Sequence, residues 1–214
     1  MDLINKTILF VKEKLANAEG GHDWFHIQRV YKNALLIASG EECDETVLKL
    51  GALLHDIADS KFNGGDETVG PKVAREFLES QGATEAVISH VIQIIDNISF
   101  KGGNTEKTFS SIELDIVQDA DRLDAIGAIG IARAFNYGGF KNRAMYDPNI
   151  APKLNMSKEE YKNSNAPTIN HFYEKLLLLK DKMNTKTGKQ IAQQRHQFMQ
   201  EFLSQFYAEW EGEL

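Results

Sequence analysis

Apolar residues recur at helical spacing along most of the chain. Ile4, Ile8, Val11 and Leu15 fall at i, i+4, i+7 and i+11, which places them on one face of an N-terminal helix that Gly20 and Gly21 would end. A second helix starts near Asp23, carries Val30, Ala34 and Ile37 inward and breaks at Gly40. Val47, Leu50, Leu54 and Ala58 mark a third. Past the Phe62-Asn63-Gly64-Gly65 loop, Val69, Val73 and Phe77 predict a fourth helix stopping near Gly82, and Val87, Val91 and Ile95 a fifth. Lys101-Gly102-Gly103-Asn104 reads as a connection.

A long helix is expected over about 112–135, with Ile116, Ala120, Leu123 and Ile126 on one side. Its small run, Ala125-Ile126-Gly127-Ala128-Ile129-Gly130, would let a neighbouring helix approach closely. Over 136–167 the periodicity fades, and Gly138, Gly139, Pro148, Pro152 and Pro167 punctuate a polar stretch. Such a segment is more often a functional loop than a linker, and it is the leading candidate for a substrate lid. Two more helices are expected, around 169–183 and 190–210. No repeat and no convincing period-two strand set appears. The expected fold is therefore all-α.

The 214 residues and 42% apolar content suit one compact domain over 1–214, with its chemistry within about 20–135 and the lid and C-terminal helices over about 136–214. A formal charge of −7, from 31 acidic and 24 basic residues, opposes broad contact with a nucleic-acid polymer but leaves room for a small anionic substrate. Cys43 stands alone, so no intrachain disulfide can form, and a cytoplasmic location is expected. The N-terminal apolar residues are interrupted by Asp2, Lys6, Lys12, Glu13 and Lys14. No stretch supplies the roughly 18 apolar residues of a membrane span, so neither signal peptide nor membrane partner is expected.

The candidate chemistry begins at His55-Asp56, which closes the apolar stretch Leu48 to Leu54. A carboxylate there needs a metal, a salt bridge or hydrogen bonds, because an unpaired buried charge costs several kcal/mol. Taken alone the dipeptide also fits an ordinary helix terminus with a capped histidine. Adjacent helical residues diverge by about 100°, so both reach one ion only if other elements complete the shell. His26, near the start of the second helix, and Asp121, on an apolar helix where an aspartate has little reason to be buried unless paired, are available for that. His22, four residues before His26, can share its face, and spacing does not choose between them. A His/carboxylate set of this kind suits one divalent ion, Mn, Mg, Co, Ni, Fe or Zn, in a site with open positions for water and substrate.

These residues carry a resemblance. His22-Asp23-Trp24-Phe25-His26, Ala52-Leu53-Leu54-His55-Asp56-Ile57-Ala58-Asp59 and Gln118-Asp119-Ala120-Asp121-Arg122-Leu123-Asp124-Ala125-Ile126-Gly127 resemble the HD-domain metal-dependent phosphohydrolase superfamily, in particular a bacterial nucleotide-directed subgroup, over nearly the full chain. The resemblance implies a compact HD-type helical bundle and one divalent cation, with Mn or Mg favoured. It also implies hydrolysis of a phosphate-containing substrate, expected to be a nucleotide phosphoester or phosphoanhydride, and extends to nucleoside triphosphate pyrophosphohydrolysis. It chooses His26, His55, Asp56 and Asp121 as metal ligands and leaves His22 as a supporting residue.

Asp59, four residues after His55, is the best acid/base candidate; its alternative role is to cap the following loop. Asp124 and Arg122 flank Asp121 and can orient ligands or phosphate, or form a local surface pair. Lys61, Lys101, Arg122, Lys141 and Arg143 are the candidate substrate contacts. His90 is the only histidine between Asp56 and Asp121, which favours one metal and disfavours a di-iron oxygenase. His171 and His196 read as structural, and Trp24, Tyr137 and Tyr146 as packing residues before base-stacking ones. The alternative to a hydrolase is a metal-containing nucleotide-binding regulatory module without turnover.

Overall fold

Several helices begin where the chain supplies a short polar cap, as seen in a computed structural model that describes residues 1–16, 23–58, 66, 68–98 and 109–214. Asp2 opens α1 (Leu3–Lys14) by accepting from the Asn5 amide at 2.9 Å. Asp23 opens α2 (Trp24–Ala38), and Asp44 opens α3 (Glu45–Leu54) by accepting from two amides of its first turn. After α4 (Val69–Ser80), Thr84 opens α5 (Glu85–Asn97). Next comes α6 (Ile112–Asp124). No strand occurs among the described residues, so the all-α expectation is met. By its contacts the chain divides into two compact units, Met1–Asp121 and Arg122–Leu214.

In the first unit α3 is the centre, packed by α1, α2 and α5, with α4 lying on α5. Val47, Leu48, Leu50, Ala52, Leu53 and Leu54 are all buried, which is the pattern of a helix covered on every side. Gly51 lets α5 come close, since a Cβ there would sit 3.0 Å from Ile94 Cδ1. Val30, Ala34 and Ile37 of α2 are fully buried, as their spacing predicts. The fourth helix differs by one residue. Gly70, Ala74 and Leu78 are its buried positions, and Val69, Val73 and Phe77 flank them. The Phe77 ring instead stacks on Phe10 at 4.1 Å.

The long helix expected over 112–135 is two helices. α6 stops at Asp124, and α7 (Gly127–Phe140) starts after a turn. Gly127 has φ +73, a conformation that other residues adopt only with strain. A Cβ at Gly130 would meet the Ala125 carbonyl oxygen at 2.2 Å. The run of small residues therefore builds a tight turn inside the chain.

The irregular stretch is also shorter than 136–167. α7 continues through Phe140, and α8 (Lys158–Asn163) lies within the rest. The neck of this segment is tied by amide donation from Thr168 to Ala144 O at 2.9 Å and from Ile169 to Met145 O at 3.0 Å. Arg143 Nη2 donates to Ser164 O at 2.5 Å, and Asn170 Nδ2 to Ile150 O at 2.9 Å. These bonds make it a compact loop with joined ends.

The helix expected over 169–183 ends early. α9 (Thr168–Glu174) passes through Lys175, at φ −144 and ψ −57, into a 3-10 helix, Leu176–Lys182. α10 (Lys186–Glu211) then packs on α7 and on the 3-10 helix, and it terminates on Gly212 at φ +71. The aromatic side chains Phe135, Phe172, Phe202 and Phe206 meet in this unit, and Tyr146 packs edge-on against Phe206, Tyr207 and Trp210. Tyr146 is thus a packing residue. No described helix is long and apolar enough to cross a membrane.

His171 on α9 carries a pH consequence. Burial, with the cations Lys175 and Arg143 nearby, holds its ring down to about 4 from an ordinary 6.5. The unfolded chain therefore takes up this proton first as pH falls. The contribution of His171 is complete above pH 6.5 and is lost as pH falls toward 4, with a slope of at most about 1.4 kcal/mol per pH unit. Urea unfolding from pH 7.5 to 4 should show a shallower loss of stability for His171→Gln than for the parent. Parallel curves would show that this ring does not titrate as described.

Candidate metal centre

Two helix ends and one helix side meet at the candidate site. Asp23 accepts from the His26 amide at 2.9 Å and so sets the first turn of α2, from which the buried His26 ring projects. α3 ends at Leu54, and His55 sits at its C-cap, followed by a turn in which the Ile57 amide donates to Leu54 O at 3.2 Å. One ligand atom each of His26, His55 and Asp56 lie within 4.8 Å of one another, a candidate metal cluster among the described residues. The two imidazole rings meet at 65° with centroids 5.5 Å apart. Asp121, one turn before the end of α6, places Oδ1 3.5 Å from His26 Nε2.

The His55 ring has a defined polarity. Its Nδ1 lies 3.0 Å from Ala52 O, and a carbonyl only accepts, so Nδ1 carries the hydrogen and Nε2 keeps its lone pair. That Nε2 is buried and has no hydrogen-bond partner among the described residues. A buried acceptor left in this state costs about 1–3 kcal/mol. Backbone orientation of one ring nitrogen with the other turned inward is the arrangement of a metal-binding histidine. His55 Nε2, a second imidazole and two carboxylates fit a divalent first-row cation or Mg by the chemistry of the donors.

Burial within α6 differs from the expectation. Asp121 is 43% exposed, whereas Asp119 and Asp124 are 0% and 1% exposed. The carboxylate facing His26 is therefore the accessible one. Asp124 pairs with Arg133 of α7, which also approaches the Asp124 carbonyl, so it is no surface residue. Arg122 donates to Lys182 O at 2.7 Å. Lys141 stands over the Phe140 and Tyr137 rings at 5.1 and 5.8 Å, and the Arg143 guanidinium lies 5.5 Å from the Tyr137 centroid.

His22, Asp59, Lys61 and Lys101 lie outside the described residues. His90 belongs to another group, with Nε2 3.0 Å from Ser111 Oγ and 3.3 Å from Glu113 Oε2. Trp24 is partly exposed, and Lys12 Nζ sits 4.8 Å above its ring. Three polar residues beside α6 escaped the sequence reading. Asn33 donates to Ala120 O at 3.3 Å, Arg133 holds Asp124, and Arg195 of α10 donates to Leu123 O at 2.5 Å. Asn33 had a local signal, as a polar residue on the buried Val30–Ala34–Ile37 face; the two arginines had none.

Comparison with known proteins agrees with this architecture. The HD domain family matches residues 24–126, a span that includes His26, His55, Asp56 and Asp121. The uncharacterized protein YpgQ of Bacillus subtilis is 38% identical over 199 residues, covering 92% of this chain and 88% of the relative. A HD-superfamily hydrolase from Bacillus thuringiensis superposes with a TM-score of 0.79 at 45% identity, covering 97% of this chain and 96% of that one. The crystal structure of Bacillus subtilis YpgQ in complex with ADP superposes with a TM-score of 0.74 over 96% of this chain and 94% of that one. The chain belongs to the HD-domain superfamily.

Proposed function

We propose that this protein is a divalent-metal-dependent phosphohydrolase acting on a nucleotide, with His26, His55, Asp56 and Asp121 as ligands of one ion. The observation that carries the proposal is the buried, unpartnered Nε2 of His55, turned inward by the Nδ1 bond to Ala52 O and grouped with His26 and Asp56. A divalent cation bound there supplies the positive charge that polarises a phosphoryl oxygen and acidifies water. His26 and His55 give the site imidazole donors, the His55 ring oriented by its Nδ1 bond to Ala52 O. Asp56 and Asp121 balance the charge, and the exposure of Asp121 leaves the site open on its side.

The hydrolase assignment draws on the HD-superfamily hydrolase from Bacillus thuringiensis, and the nucleotide on the ADP complex of YpgQ. Within this reading Asp59 serves as the proton-transfer residue, His22 and Asp124 support the ligands, and Lys61, Lys101, Arg122, Lys141 and Arg143 are the basic residues offered to phosphate.

Protein loaded with Mn, Mg or Co is to be incubated with nucleoside mono-, di- and triphosphates and with simple phosphate esters, and the products separated. Nucleotide turnover is expected, and pyrophosphate among the products of a triphosphate would assign anhydride cleavage between the α and β phosphates. Absence of turnover on every phosphate compound, with metal occupancy confirmed, would refute the hydrolase reading.

A further inference from the structure

The last turn of α6 is held by an arginine clamp. A helix leaves its final carbonyls without intrahelical donors, and here these belong to Asp121 through Asp124. The Ala125 and Ile126 amides reach only Arg122 O, at 3.1 Å, and Leu123 O, at 3.3 Å. Arg195, 72 residues later on α10, adds a donor to Leu123 O at 2.5 Å. Arg133 holds the Asp124 carboxylate. Two guanidinium groups thus gather where the helix dipole concentrates negative charge.

Arg195 is built into this position. Its stem crosses the face of Gly127, where a Cβ would lie 3.0 Å from Arg195 Cγ and 3.1 Å from its Cβ. The arginine is half-buried, which pushes its pKa down against the opposing pull of the Asp124 carboxylate. A surface arginine could reach a helix end at no such desolvation cost, so the burial points to a positional role. Asp121 lies less than one turn from Leu123 and Asp124 on the same helix, and fraying there would release its carboxylate from the place 3.5 Å from His26 Nε2.

We infer that Arg195, with Arg133, is a positioning residue for the metal centre, acting through the last turn of α6 to hold the Asp121 carboxylate where a cation is bound. The inference rests on the metal reading given above. Partners that orient metal ligands typically contribute about 10–100-fold in affinity.

The test is Mn titration by calorimetry on the parent and on Asp121→Asn, Arg195→Met and Arg195→Lys, with circular dichroism melting of each metal-free protein. Arg195→Met keeps the stem over Gly127 and removes the donor. Its Mn Kd should rise about tenfold while the metal-free melting curve stays close to that of the parent. Arg195→Lys, which retains a cation of similar reach, should recover part of the loss. Mn affinity equal to the parent in Arg195→Met would overturn the inference, as would a loss of affinity that merely tracks the loss of folded protein across the Met and Lys variants. If Arg195→Met does not fold, Arg195→Lys decides alone, a several-fold weaker Kd supporting the inference and an unchanged Kd overturning it. A parent that binds no Mn, or an Asp121→Asn variant that binds it as well as the parent, refutes the metal reading and the inference together. Weakened Asp121→Asn beside unaffected Arg195 variants refutes the inference alone.

Discussion

Replacing Asp56 with alanine is expected to abolish divalent-metal binding and hydrolysis together. Asp56 is one of the two carboxylates of the proposed ligand set, whose other members, His26 and His55, are neutral donors when they coordinate. Its loss halves the negative charge offered to the cation and removes a donor within 4.8 Å of the two histidines. Metal content after dialysis, measured by plasma mass spectrometry, should fall from about one ion per chain to a small fraction, and turnover by about 1000-fold. Asp56→Asn preserves the shape and isolates the charge, and it should fall between the two. Full metal occupancy in folded Asp56→Ala would show that this carboxylate is no ligand, however close it lies to the imidazoles.

The largest effect on stability is expected at Gly130. The added methyl of Gly130→Ala would be 2.2 Å from Ala125 O and 2.4 Å from Ala125 C, and both are backbone atoms that no side-chain rotation can move. The turn between α6 and α7 must open, at a cost of about 3 kcal/mol. For a protein of this size that lowers the melting temperature by roughly 6–12 °C. Gly139, on the same helix, has nothing within 4 Å of a Cβ, so Gly139→Ala should be neutral or stabilising by up to about 1 kcal/mol. Equal melting temperatures for the two variants would contradict the close approach at Gly130. Because the same turn follows the last turn of α6, Gly130→Ala should also weaken Mn binding.

Much of this protein is written in short-range signals. Asp2, Asp23, Asp44 and Thr84 mark helix starts because their side chains satisfy amides only two or three residues away. The apolar stripe of α2 is legible because burial follows a period of 3.6 residues. His26 and His55-Asp56 stand out less by position than by motif: spacing leaves His22 and His26 equivalent, and the resemblance to the HD-domain superfamily selects the set with Asp121. The site is legible to that extent.

Other features depend on which distant surface meets which. Ala125 to Gly130 has a spacing compatible with one continuous helix, and only the positive φ of Gly127 and the packing of Arg195 against it turn the run into a break. In α4 the two stripes 69–73–77 and 70–74–78 are adjacent, and tertiary packing buries the second. The three aspartates at 119, 121 and 124 share one helix, yet two are sealed and one is accessible. Periodicity and capping are local, so the sequence by itself determined most of the helices and the α2 and α3 core, and its motifs proposed the histidine and aspartate donors. Burial of a charge depends on a partner that can be far along the chain, as Arg195 is from Leu123, so only the tertiary structure decided which carboxylate faces His26 and what holds it there.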